Sequence, residues 1–366
     1  MLFDSTLRRD LSRAFGATLV VLVTIVITMM LMRTLGQAAG GVVDPRDVML
    51  LLGYATLGYM PTILSLALFI TIVATLTRMY RDSEMVIWFA SGLGLARFVR
   101  PVLGMSWPVL LIVLLLALFV WPWVNQRVAE LKYRYETRSD LSRVAAGQFQ
   151  SSADGRRVFF IERDPEDLRI GRNVFVLIRK GDTESVTSAR EGRVDFEGDQ
   201  RVVRLERGQR NEDNLDTGEK TMARFDSYQA IVGDRIGGPL DKLPPTTRST
   251  RELLRDPTRP NLGEFAWRLG LVFGAINLAL LAVGLSATNP RRPGSLNLLL
   301  ALLTFIVYFN LINLSQAWIA NGKVSLGVML LALHGGAFAL ALAALWWRDH
   351  ASTLRLLPRL RRSNAP

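Results

Sequence analysis

Six stretches of about twenty or more residues without a charged side chain decide what this chain can fold into. They are Ala14–Met32, Val48–Thr77, Pro101–Val124, Leu269–Thr288, Gly294–Asn321 and Val324–Trp347. A helix needs about 20 mostly apolar residues to cross a hydrocarbon core of about 30 Å, and each stretch qualifies. Half of the 366 residues are apolar, yet 21% are charged. Both hold only because charge and apolarity are segregated along the chain, which excludes an ordinary soluble globular protein. The net charge of +12 could suggest nucleic acid. It sits almost wholly in the apolar flanks, however, where basic residues orient membrane helices, so no nucleic-acid partner is expected. The first stretch is too long for an ordinary signal-peptide core and reads as a retained anchor. Pro61 predicts a kinked or broken second span.

Orientation follows from lysine and arginine in the short connections. With the N-terminus inside, the inner segments hold fourteen such residues, among them Arg8, Arg9, Arg78, Arg81, Arg97, Arg100 and Arg348, and the short outer loops three, Arg33, Arg46 and Lys323. Both termini are therefore expected in the cytoplasm and the large polar middle outside. Trp121, Trp123, Trp267, Trp318, Trp346 and Trp347 fall at span ends, as an interfacial belt requires.

The chain divides at the sequence level into residues 1–123 (spans one to three), 124–263 (an outer domain) and 264–366 (spans four to six and a basic tail). In the middle part, Val158–Ile161, Val174–Ile178, Arg193–Phe196, Val202–Leu205 and Thr221–Val232 are short β-rich runs between turn signals. The pattern suggests a sandwich or jelly roll. Runs apolar on both faces have two explanations, an ordinary sandwich core or a face that meets something other than water. The fold class is thus a six-span helical membrane protein with an inserted all-β, jelly-roll-like domain.

Catalytic chemistry is not encoded. There is no cysteine and there are only two histidines, so thiolate chemistry and histidine metal clusters are excluded. Gly322-Lys323 lacks the Ser/Thr and the spaced glycine of a phosphate loop. Within the six stretches there is no Asp, Glu, Lys or Arg of the kind that marks ion-coupled transport; His334 reads as a packing residue. Energy for any transport must come from another protein. The loop 78–100 is where it could enter. Ser83 is a candidate N-cap, Glu84 a first-turn acid, and Met85–Ala90 an apolar helix of about 82–92 stopped at Gly92-Leu93-Gly94. Such a helix exposing Trp88 and Phe89 lies in the lipid interface or enters a partner's groove.

Tyr80-Arg81-Asp82-Ser83-Glu84-Met85 with Gly92-Leu93 resembles the coupling segment of the lipopolysaccharide export permeases. Ala146–Gln150, Tyr228–Gly233, Glu264 with Trp267-Arg268, and Leu285-Ser286 with Asn289-Pro290-Arg291 resemble further segments of that family, in order along the chain. Around Arg33–Gly36 and Gly147-Gln148-Phe149 the detail looks more like the F-type than the G-type subunit. The resemblance implies a bacterial inner-membrane ABC exporter in which this chain pairs with a G-type paralogue on a cytoplasmic ATPase dimer. ATP and Mg would belong to that ATPase, with no cofactor in this chain. Lipopolysaccharide would leave the outer leaflet through periplasmic β domains toward a single-span jelly-roll partner. It further implies an ATPase-coupling group, Ser83, Glu84, Trp88 and Phe89, and a lipid-binding role for Arg33; Phe149, Phe159 and Ile161 are the lipid-binding candidates taken from the apolar β runs as inward positions. For Arg33 a snorkelling anchor is the other reading. A non-transporting, membrane-anchored envelope scaffold is the competing function, and ion-coupled transport is disfavoured.

Overall fold

The computed structural model describes residues 2–39, 43, 45–142, 150–151, 157–163, 170–180, 183–197, 200–214, 216, 218–234, 244–286 and 294–360. The chain forms two compact units: one of residues 1–34, 49–128 and 244–366, the other of 35–48 and 129–243.

The first unit is helical and holds six helices long and apolar enough to cross a membrane. They are α1 (Leu2–Ala39), α2 (Val48–Arg81), α4 with α5 (Val99–Leu115 and Trp121–Ser142), α7 (Arg259–Ser286), α8 (Gly294–Ala320) and α9 with α10 (Leu326–Leu330 and Gly336–Leu360). Between α2 and α4 lies the short helix α3 (Glu84–Ala90), and α6 (Thr250–Arg255) precedes α7. The third and sixth spans each pass through a π-helical turn, Leu116–Val120 and Leu331–Gly335. Of the two expectations for Pro61, the break is not realised: α2 is one continuous helix through it. Neighbouring helices bury the proline, and in an apolar medium a packed helix has no better solvent for its carbonyls.

Spans two and four form the centre. The most apolar window of each is 72% buried, against 6% for the first span and 22% for the fifth. Leu68, Phe69, Ile72 and Leu76 of α2 pack with Ala279, Ala282 and Val283 of α7 in one cluster. Glycines let α8 and α10 approach α7. A Cβ at Gly263 would stand 2.8 Å from the Gln316 carbonyl, one at Gly270 2.9 Å from Ile312, and one at Gly284 2.9 Å from Ala344. Small residues at such contacts are how helices associate where no hydrophobic force separates them from lipid. In the same interior Asn277 donates to the Tyr308 hydroxyl and to the His334 carbonyl, both at 2.9 Å. The Tyr308 hydroxyl also meets His334 Nδ1 at 2.8 Å, so His334 is a satisfied packing residue, as expected.

The second unit carries one antiparallel sheet in sequential order: β1 (Gln150–Ser151), β2 (Arg157–Arg163), β3 (Ile170–Lys180), β4 (Thr183–Glu197), β5 (Gln200–Asn214) and β6 (Lys220–Asp234). The expected apolar runs all fall on strands. Among the described residues the jelly-roll expectation becomes more specific: a single meander, not two Greek-key sheets. The two-residue connections 181–182 and 198–199 leave β4 and β5 no choice but to pair with their predecessors. Val174, Val176, Ala189 and Leu205 form the sheet's buried cluster, with Ile178, Phe225 and Tyr228 against it.

Candidate functional site

The strongest candidate lies at the basic ends of the helices, on α3. Its N-cap position is Ser83, but Ser83 adopts φ 62° and its side chain caps nothing. The capping role expected of it is not realised, because the chain turns sharply out of α2 and the left-handed backbone points the hydroxyl away. At the other end, Leu93 N–H donates to the Trp88 carbonyl at 3.2 Å and Gly92 N–H to the Phe89 carbonyl at 3.0 Å. That pair of bonds is a Schellman motif, and it requires the left-handed φ of 86° at Gly92. A helix of only seven residues is thereby closed at its C-terminus and held as a rigid knob.

Which side chains the knob presents differs from the sequence expectation. Met85 is fully buried, and Trp88 turns inward onto Phe3 of α1, ring centroids 4.7 Å apart. Phe89 is exposed as expected, at 39%, with its ring near Tyr80 and Phe98. Val86 at 60% and Ile87 at 68% are exposed beside it. The correction concerns Trp88 and has a helical reason. Met85 and Trp88 are spaced i, i+3, and the stripe that packs inward cannot also face outward. Glu84, half-buried, stands in the first turn of α3.

At the opposite ends of the helices is a polar node that the apolar-run reading missed. Because α7 begins at Arg259, Glu264 and Arg268 lie inside the span, 1% and 0% exposed. The stretch Leu269–Thr288 itself carries no charged residue, as expected; the pair lies in the part of α7 that precedes it. Arg268 Nε donates to Glu264 Oε1 at 3.0 Å. The same carboxylate accepts from Trp121 Nε1 at 2.9 Å and Gln316 Nε2 at 3.0 Å. The guanidinium also donates to the Thr250 hydroxyl at 3.0 Å and the Arg248 carbonyl at 2.9 Å. Spans three, four and five and the segment before α6 meet in this one network. A signal was available: Glu264 and Arg268 are spaced i, i+4 just before an apolar run, beside Trp267.

Arg33 does not end its helix, as α1 continues to Ala39. It is exposed, and its Nη1 donates to the Tyr59 hydroxyl of α2 at 3.4 Å. Phe149 lies outside the described residues. Phe159 and Ile161 lie on β2, where Phe159 is the register partner of Val176 and Ile161 sits at an irregularity between Phe160 and Glu162.

Within the sheet, the ladder skips Asn173 and Arg190, then Arg190 and Arg207, then Arg207 and Asp226. Asn173 and Arg207 both have positive φ, 50° and 53°. The skipped positions line up across four strands as a crease. A cleft of about 970 Å³ opens along it, lined by Phe160, Phe175, Phe225, Arg190, Arg207 and Arg224 among others. Arg207 is bonded to Glu191. The three aromatic rings therefore share the cleft with guanidinium groups and with the Asp226 carboxylate.

Six helices long and apolar enough to cross a membrane, interrupted after the third by a β domain, define a polytopic membrane protein. The model of the family described as the lipopolysaccharide export system permease LptF/LptG matches residues 6–348, and the chain belongs to that family. It is 28% identical over 318 residues to the lipopolysaccharide export system permease protein LptF of Escherichia coli K12, covering 84% of this chain and 85% of the relative. The LptF protein of Shigella flexneri matches to the same extent. The similarity is thus to the F-type, and the chain is a multi-pass protein of the inner membrane, in accord with the sequence reading.

Proposed function

We propose that this chain is the F-type permease subunit of an ATP-driven exporter that moves lipopolysaccharide from the outer leaflet of the inner membrane to the β domain. Both termini and α3 lie in the cytoplasm, the β domain in the periplasm. A G-type paralogue completes the membrane unit, and a separate ATPase dimer binds and hydrolyses ATP with Mg. A single-span periplasmic jelly-roll protein receives the lipid. The observation that carries this reading is α3, a rigid, doubly anchored knob with Glu84 in its first turn and Val86 and Ile87 exposed. That surface suits a groove with an apolar floor and a basic residue at its rim, where a carboxylate makes a charge-assisted bond. The exposed first and fifth spans leave apolar surface for the paralogue. Arg33, near the C-terminal end of α1, suits the phosphates of a glucosamine headgroup by bidentate bonding. Phe149, Phe159 and Ile161 are assigned to the lipid path of the β domain.

Affinity purification in mild detergent, with identification of both proteins and lipid, tests the reading. Copurification of an ATPase, a paralogous permease and lipopolysaccharide is expected. Recovery of the chain with envelope proteins but neither ATPase nor lipid would overturn it in favour of a scaffold.

A further inference from the structure

After α3 the chain makes a short 3₁₀ turn, Leu95–Phe98, before entering α4. The first N–H of that turn, on Leu95, donates to Asp349 Oδ1 at 2.7 Å, although Asp349 lies 254 residues later on α10. The fit depends on residue 94 having no side chain. A Cβ at Gly94 would stand 2.9 Å from Asp349 Oδ1 and 3.2 Å from Oδ2. Leu95 and Phe98 on either side of the turn are 3% and 0% exposed, so the turn is fixed in the core. On its other side Arg97 pairs with Asp4 of α1 at 3.2 Å, and Phe3 packs on Phe98 with centroids 4.8 Å apart. The exit of the knob is thus held by one acid from each end of the chain. Asp349 is an acid on the side of the membrane where positive charge prevails, directly after Arg348. Its helix α10 in turn lies against α7 at Gly284 and Ala344.

We propose that Asp349 is a positioning residue that carries displacement of α3 into the sixth span and from there to the central α7. The sixth span also packs on the turn, with Leu345 of α10 in the same buried cluster as Met85, Leu95 and Phe98, and the Asp349 carboxylate adds a directed bond to the turn's backbone. The carboxylate gives the sixth span, which is distant in sequence, a direct hold on the turn that α3 must drag when it moves. The inference rests on α3 being the ATPase-coupling element and adds the route by which that coupling leaves it.

The test uses the full complex with paralogue and ATPase, reconstituted in liposomes containing lipopolysaccharide. Lipid photo-adducts on the β domain and phosphate release are measured together. Asp349→Ala lowers adduct per phosphate about fivefold or more, the lower end of ordinary coupling factors, while complex yield and hydrolysis stay near wild type. Asp349→Asn, which keeps an oxygen acceptor for the Leu95 N–H, recovers most of the ratio. Gly94→Ala gives the same loss in the wild-type background and adds nothing to Asp349→Ala, since both break one contact. An unchanged ratio in Asp349→Ala, a loss of assembled complex in that variant, or independent additive losses would each overturn the relay. Glu84→Ala separates the two claims. If it loses the ATPase while Asp349→Ala is silent, the relay alone fails; if Glu84→Ala is itself silent, the coupling reading of α3 fails.

Discussion

Replacing Arg268 by methionine keeps most of the side-chain length and removes a guanidinium that is fully buried. The Glu264 carboxylate would keep the Trp121 and Gln316 donors and lose the counter-charge that stands 3.0 Å away. The Thr250 hydroxyl and the Arg248 carbonyl would lose a donor as well. Removing one partner of a buried ion pair costs about 3–5 kcal/mol, because the remaining charge has no solvent. Glu264→Gln leaves the buried Arg268 charge without its partner too, but the amide oxygen still accepts from Arg268 and Trp121 and the guanidinium keeps its Thr250 and Arg248 acceptors, so the cost falls at the lower end, about 3 kcal/mol. Thermal unfolding in one detergent, followed by tryptophan fluorescence, reads this directly, because Trp121 and Trp267 are in contact beside the node at 4.7 Å. At roughly 2–4 °C per kcal/mol, Arg268→Met should unfold on the order of 10 °C lower. Combining the two substitutions should cost less than their sum. An Arg268→Met protein unfolding within about 2 °C of wild type, or one more stable than Glu264→Gln, would refute the account of the node.

Three other substitutions separate function from packing. Glu84→Ala should lose ATPase association or uncouple hydrolysis from lipid movement while membrane insertion is retained, measured by copurification and by adduct yield. Arg33→Glu should impair lipid capture far more than Arg33→Lys with the complex intact; equal lipid loading by Arg33→Glu and wild type would leave Arg33 as a membrane anchor. Gly270→Leu should destabilise the helical unit by about 2 kcal/mol or more through overpacking, because the added Cβ alone would stand 2.9 Å from Ile312. A Gly270→Leu protein as heat-stable as wild type would show that α7 and α8 separate easily.

Spans were legible in the sequence because lipid imposes a length and a composition that no other constraint imitates. Strand positions in the β domain were legible for a related reason: alternation and turn residues are local. What escaped the sequence depended on contacts between distant residues. Helix α7 begins well before its apolar run, and nothing local says that Trp121 and Gln316 come beside Glu264 and Arg268. Trp88 looked exposed because nothing local says that Phe3, 85 positions earlier, covers it. Ser83 matched an N-cap by residue type, but its backbone is left-handed and the hydroxyl does not cap. The crease through Asn173, Arg190, Arg207 and Asp226 is a property of strand register, which side-chain patterning leaves open.

The central claim is that lipopolysaccharide passes through this chain under the drive of an external ATPase. It is tested by a photo-crosslinker at Phe159, register partner of the buried Val176, in the complex reconstituted with paralogue, ATPase and lipopolysaccharide. Adducts that rise with time only when ATP and a hydrolysing ATPase are both present are the predicted result. Adducts that form equally with ATP withheld would contradict it, leaving the β domain as a passive lipid-binding surface.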